Sequence, residues 1–395
     1  MIKFSTPDIS EREIANVIEK IKTGWLTNGP MVRKFENKIA EMSFCHRAVA
    51  FDSCTGAMEM TLRALEIGPG DEVITTPYTY SATAEVIRNV GAKIIFVDLD
   101  GESFEMDYKL LEKAITPKTK AVMPVDIGGK LCNYDAIRDA IDSQKELFTP
   151  SCLLQEAIGR PVIVADAAHS FKAKRGRLVC GELADFTCFS FHALKNITTG
   201  GEGGAVVWRE IPNYPNCVLE RKLRLMGDHG QTSRDKSKGW EYDIELFGYN
   251  SIMTDVDAAM GLAQLDRFDE LLKKRTEVTK RYDELFEGVD FTKPLIQHIG
   301  ASHTSAMHLY PIQLPKEVNR DEIYFKLRDA GVPCNVHYKP LPMMTAYKKL
   351  GYNIAYYQNA YEMFQRLLTI PYHTELTEED QRHVVQEIGK AVRGG

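Results

Sequence analysis

Several common functional signals are missing from this chain. Its eight cysteines are scattered with no Cys-x-x-Cys spacing, so neither a zinc cluster nor a disulfide framework is expected, and reduced thiols are. Basic residues are not in excess: 49 Lys and Arg stand against 55 Asp and Glu, a net charge of −6 that argues against nucleic acid or an anionic membrane as partner. No apolar run approaches about 20 residues. The first eight residues, Met1 to Asp8, lack a signal peptide's apolar core, and the expectation is a soluble, cytoplasmic protein. The phosphate-loop pattern Gly-x-x-x-x-Gly-Lys is absent, which leaves a nucleoside triphosphate site unsupported. No repeat, low-complexity tract or metal-ligand set is evident.

What is present is a chain long and apolar enough for a large core. Its 395 residues, 44% hydrophobic, suggest two or perhaps three domains. Helical and strand patterns alternate through the first two-thirds. Helices are predicted over 7–21 (Asp8 or Ser10 as N-cap), 56–65, 81–90 and 107–115, and strands over 72–76, 93–97, 121–125 and 162–165. Such alternation implies an α/β fold with a largely parallel sheet covered on both faces. A helix and an exposed loop are expected between 136 and 160, and one or two long helices over 253–285. The polar stretch 228–246 reads as a mobile lid or a partner-contacting arm.

The most informative stretch is 188–208. It places Lys195 between an apolar strand (186–191) and a glycine-rich turn, with a second apolar strand, 205–208, behind. An amine held against a buried scaffold is poorly solvated, which lowers its pKa and frees it for Schiff-base chemistry with an aldehyde cofactor. Upstream, Pro161-Val-Ile-Val-Ala-Asp166-Ala-Ala-His169 ends a continuous apolar strand in an acid, where α/β proteins place ligand-facing residues. A carboxylate there could pair with the ring nitrogen of pyridoxal 5'-phosphate while Lys195 carries the aldehyde carbon. Phe51-Asp-Ser-Cys-Thr55-Gly56-Ala57 joins a strand to a helix start, a geometry that favours an anion.

The pattern Asp166-Ala-Ala-His169, then Ser190-Phe-His-x-x-Lys195-Asn-x-x-Thr-Gly-Gly-Glu-Gly-Gly204, resembles the sugar-nucleotide aminotransferases of the DegT/DnrJ/StrS group. The likeness runs from about Gly24 to Asp380. It implies a fold-type I pyridoxal phosphate enzyme: a large domain (1–262) with a mostly parallel seven-stranded sheet between helices, and a smaller C-terminal α+β domain (263–395). By the same resemblance Thr55 and Gly56 form a phosphate cradle to which Ser190 adds a hydroxyl. Tyr80 stacks on the pyridine ring, with Tyr78 the alternative, and His169 bonds its phenolic oxygen. Gly248-Tyr-Asn250-Ser-Ile-Met-Thr-Asp255 resembles a segment whose asparagine reaches the phosphate of a neighbouring subunit, implying a homodimer with shared sites. His337 and Tyr338 match a motif lying over the substrate, while His308 reads as structural.

Two positions depart from the group's pattern. Ile252 stands where arginine is common, and Asp126 where histidine often is, so an unusual substrate pocket is expected. The nucleotide end is then expected to meet the basic residues Arg234, Lys236 and Lys238. The implied reaction is transamination of a nucleotide-linked keto sugar, with L-glutamate as donor, for surface polysaccharide or glycan synthesis. A sister branch that dehydrates sugars carries histidine at the lysine position. A catalytically silent cofactor-binding regulator would need a damaged constellation, whereas Asp166, Ser190, Lys195 and Asn250 are all intact.

Overall fold

The structure is a computed structural model and describes residues 2–232 and 237–394. Among the described residues there are thirteen strands. Those of the first half are β1 (Ala48–Phe51), β2 (Glu72–Thr75), β3 (Lys93–Phe96), β4 (Thr119–Met123) and β5 (Val162–Asp166). β6 (Lys174–Arg175), β7 (Leu178–Val179), β8 (Phe186–Ser190) and β9 (Gly204–Trp208) follow. β10 (Lys293–Pro294), β11 (His303–Thr304), β12 (Tyr310–Gln313) and β13 (Leu367–Ile370) complete the set.

Seven strands form the main sheet in the order β1-β9-β8-β5-β4-β2-β3. Only β9 runs against the rest, pairing antiparallel with both β1 and β8. The sequence expectation of an α/β fold with a mostly parallel seven-stranded sheet is thus met. Its central strands are near-continuous apolar runs because helices cover both faces; every residue of β4, β5 and β9 is buried. A three-stranded antiparallel sheet, β10-β12-β13, carries a separate apolar cluster that includes Val278, Ile312, Leu327, Leu368 and Ile388.

The N-terminal helix begins at Glu11 and not near residue 7. Ser10 supplies the N-cap in a capping box with Glu13, and Asp8 instead bonds the Arg267 guanidinium. A helix that periodicity had not suggested, Pro30–Met42, starts with proline at its first position and buries Val32, Phe35 and Ile39 against the sheet. Helix Asp255–Asp266 packs on both and ties down the first: Lys20 meets Asp255 at 2.7 Å, and Glu13 accepts from Arg267 at 2.6 Å and Gln264 at 2.7 Å. Burying these charges is costly unless every one is paired, so removing one partner destabilises more than the pair contributes. The expected long helical stretch is two helices, Asp255–Asp266 and Phe268–Phe286, broken at Arg267.

Candidate active site

Parallel strands end along one edge of the main sheet, and there the loops after β1, β2, β4, β5 and β8 enclose a cavity of about 440 Å³. Ser53, Thr55, Tyr80, Asp166, His169, Ser190, Lys195, His337 and Tyr338 line it. Residues that lie far apart in the sequence therefore share one space.

One end of the cavity is the turn from β1 into helix Cys54–Ala64. Ser53 caps that helix by accepting from Gly56 N–H at 3.0 Å, and donates to Asp52 at 3.0 Å. The first amides of a helix have no intrahelical acceptor, so this end carries partial positive charge. The turn sits tight on the sheet: a Cβ on Gly204 would lie 2.2 Å from the Ser53 carbonyl carbon, and one on Gly56 would lie 2.4 Å from Ser251 Oγ. Gly56 itself is part of the turn but not of the cavity wall.

Asp166 closes β5, 5% exposed, and its oxygens accept from Thr83 Oγ1 at 2.6 Å and Ala168 N–H at 3.2 Å. Burial raises its pKa, while Thr83, Ala168 and the Lys195 charge pull it back. Lys195 follows β8 on the adjacent strand. It is half-buried, with part of its surface opening into the cavity, and burial lowers its amine from 10.5 to about 8 against the opposing pull of Asp166. Both shifts have the same cause, loss of water around a charge.

His169 accepts from Gly128 N–H at Nδ1 (3.2 Å) and meets Tyr338 Oη at Nε2 (3.3 Å). Burial and the nearby Lys195 push its pKa well below the usual range. His337, half-buried rather than freely exposed, contacts Thr369 Oγ1 through Nδ1 at 3.0 Å, and burial takes it down to about 4. Tyr80 is 63% exposed and its ring lies 6.0 Å from that of Tyr338, whereas Tyr78 is fully buried in the core below. His308, read from sequence as structural, also lines the cavity. Its ring lies 4.3 Å from His169, and its Nδ1 is 3.1 Å from Asn196 Oδ1.

Sequence reasoning missed Phe4, Ser5 and Thr83. Phe4 stacks on His337 at 5.8 Å and accepts a backbone bond from Tyr372, so the N-terminal strap forms part of the wall. Nothing in local periodicity marks such a contact. Thr83 could have been suspected, being one helical turn beyond Thr79-Tyr80 and on the same face as Thr79, to which its hydroxyl bonds at 2.9 Å.

Asn250 does not line the cavity and is exposed in the single chain, but its segment is not remote. Ser251 donates to Asp52 at 2.7 Å, and Ile252 bridges Phe51, so residues 250–252 lie against the β1 turn of their own chain. Ile252 is not a cavity residue. Arg234 and Lys236 lie outside the described residues; Lys238 is ion-paired with Glu241. The flanking stretch holds no helix or strand among its described residues; Gln231 bridges Ile244, Thr232 bonds Asp243 in both directions, and Trp240 and Tyr242 are exposed. Asp126 touches the cavity wall, yet its carboxylate is spent inward on Cys132 N–H, Tyr134 and Ser170. Its departure from the family pattern thus alters the floor of the site and does not project a charge into it.

A lysine in the loop after β8 and an aspartate at the end of neighbouring β5, facing one cavity at the carboxyl edge of a mostly parallel sheet, define an α/β enzyme of the aminotransferase type. The chain belongs to the DegT/DnrJ/EryC1/StrS aminotransferase family, whose model matches residues 7–389. It is 35% identical to the spore coat polysaccharide biosynthesis protein SpsC of Bacillus subtilis, over 100% of this chain and 97% of that protein. It is 33% identical to UDP-4-amino-4,6-dideoxy-N-acetyl-beta-L-altrosamine transaminase of Campylobacter jejuni, covering 97% and 96% of the two chains. Among solved structures, Spr1654 of Streptococcus pneumoniae in its PMP form superposes with a TM-score of 0.96 at 39% identity, covering 100% of each chain. Its PLP form gives 0.95 at 39% identity, covering 100% of this chain and 99% of that one.

Proposed function

We propose that this aminotransferase uses pyridoxal 5'-phosphate to move an amino group from L-glutamate to a nucleotide-linked keto sugar, in the cytoplasm and for surface polysaccharide synthesis. The observation that carries the reading is Lys195, with its amine near 8, sharing one cavity with the buried Asp166. The relatives' names supply the substrate class: one is a UDP-sugar transaminase, another a polysaccharide biosynthesis protein.

The residues fit the cofactor. Thr55 and Ser190, which line the cavity, would hold its phosphate at the helix start, with Gly56 behind them in the turn, where Gly56 and Gly204 let the backbone pack closely on Ser251 and the sheet. Tyr80 would cover the ring face, Asp166 would meet the ring nitrogen and His169 the phenolic oxygen. When bound, the cofactor supplies an aldehyde carbon and a ring that withdraws electrons from the substrate's Cα. Asp166, fixed by Thr83, would favour the protonated form of the ring nitrogen. Lys195 Nζ is the group that would hold the aldehyde end, and as a free amine it would accept and donate the proton at the donor's Cα. His337 and Tyr338, beside Phe4, shape the sugar's end of the cavity.

Holoenzyme should be yellow, lose that colour when L-glutamate is added and regain it with UDP-, GDP- or dTDP-keto sugars. A protein that stays colourless after reconstitution would sink the reading. Borohydride reduction and peptide mapping should place the pyridoxyl group on Lys195.

The functional unit proposed is a two-fold homodimer in which Asn250 reaches the partner's phosphate site. Support comes from its exposure outside its own cavity, together with exposed Trp240, Tyr242 and Phe247 in the same region. Mixing Lys195→Ala with Asn250→Ala subunits should restore activity, because some heterodimers then hold one intact site. No recovery after verified subunit exchange would overturn the shared-site arrangement.

A further inference from the structure

The loop after β4 reaches His169, and Asp126 is the side chain that ties it down. The carboxylate is 1% exposed. It accepts at Oδ1 from Cys132 N–H (2.9 Å) and Tyr134 Oη (3.1 Å), and at Oδ2 from Ser170 Oγ (2.8 Å) and Tyr134 Oη (3.0 Å). One side chain thus grips two segments: Cys132 and Tyr134, which follow the Ile127–Gly129 turn, and Ser170, which follows His169. Between the grips the backbone is forced. Gly128 has φ +67° and Gly129 φ +92°. A Cβ on Gly128 would lie 2.2 Å from Ile296 Cδ1, and one on Gly129 would lie 2.8 Å from the His169 carbonyl oxygen. In this conformation the Gly128 N–H is delivered to His169 Nδ1 at 3.2 Å.

That bond decides where the imidazole carries its proton. Burial keeps His169 neutral, so it holds a single N–H. Nδ1 accepts from the backbone, and the proton must then sit on Nε2, on the side where Tyr338 Oη lies 3.3 Å away and the cavity opens. If the turn relaxed, the ring could take the other tautomer and offer the cavity a lone pair in place of a donor.

We propose that Asp126 is a positioning residue: by clamping the Ile127–Gly129 turn to Ser170 it locks His169 as the Nε2–H tautomer, a hydrogen-bond donor toward the cavity's ligand. This rests on the reading that the ligand is pyridoxal phosphate, whose phenolic oxygen would receive the bond. Donation to that oxygen favours its ionised form, so losing it raises the pH midpoint of the holoenzyme's visible band.

The test uses reconstituted holoenzyme of His169→Ala, Asp126→Ala, Asp126→Asn and the His169→Ala/Asp126→Ala double variant. The band's midpoint is read across pH alongside kcat for the glutamate half-reaction. Each alanine variant should raise the midpoint by about one pH unit, a tenfold change in proton affinity. The double variant should move it no further than the larger single change, since both act through one N–H. Asp126→Asn should stay near wild type, its amide oxygen still accepting from Cys132 N–H and its amide nitrogen donating to the Ser170 hydroxyl, which can turn to accept. Additive shifts, or a shift for His169→Ala with none for Asp126→Ala, would overturn the inference. Should Asp126→Ala not fold, Ser170→Ala decides: a rise supports the clamp, and an unchanged midpoint overturns it. Absence of any band in wild-type protein would instead bring down the cofactor reading itself, and this inference with it.

Discussion

Lys195→Ala should reduce turnover at least about 10⁴-fold, because a nucleophile and a general acid–base are lost in the same atom. The variant should remain folded, since the amine contributes no packing that alanine's neighbours depend on and is desolvated where it sits. The sign of the stability change follows from the pKa. Folding lowers the amine from 10.5 to about 8, so below pH 8 the protonated lysine costs stability in full, and that cost fades as pH rises from 8 to 10.5. Lys195→Ala removes the cost. Its apoenzyme should melt at or above the wild-type temperature at pH 7, with the two curves converging toward pH 10.5. Capture of the cofactor by wild-type apoenzyme should quicken as pH passes 8, where the neutral amine becomes the major form. A variant that keeps more than a hundredth of wild-type turnover would mean the catalytic nitrogen is elsewhere.

Asp166→Asn is the second large effect. Asparagine can keep the bond from Ala168 N–H through its one oxygen, while its amide nitrogen takes the other oxygen's place and donates to the Thr83 hydroxyl, so the geometry survives while the charge is lost. Turnover should fall by about 10²–10³, the cost of removing one preorganised charge from a water-excluded site. Stability should hold, because a buried carboxylate whose pKa burial has raised is itself unfavourable in the folded chain. Stopped-flow measurement of the glutamate half-reaction separates this from weaker cofactor binding: the rate at saturating cofactor should drop. A loss that excess cofactor restores would assign Asp166 to holding the cofactor only.

The fold class and family were legible in the sequence because their signals are local. A buried strand ending in an acid, as Val162–Asp166 does, and a lysine ahead of a glycine-rich turn are short patterns whose chemistry is written in adjacent residues. Covered parallel strands read as unbroken apolar runs, and alternation with helices follows from the crossover each parallel pair requires. Helix Pro30–Met42 escaped notice although Val32, Phe35 and Ile39 form a regular stripe and Pro30 marks its start. The hairpin-like pairing around Gln231 and Ile244 escaped because its residues are polar and its two sides lie thirteen positions apart.

What the sequence determined by itself is the set of chemical groups and the strands that carry them: Lys195 after β8, Asp166 at the end of β5, the small-residue turn after β1. Only the tertiary structure decided their company. Phe4 meets His337 across more than 300 positions, the His308 ring packs tilted against His169, and Asp126 turns inward to Ser170 and Tyr134. The physical reason is the same in each case. Periodicity reports which face of an element avoids water, whereas these contacts depend on which elements the sheet order brings together, and on which buried donors are left for a carboxylate or imidazole to satisfy.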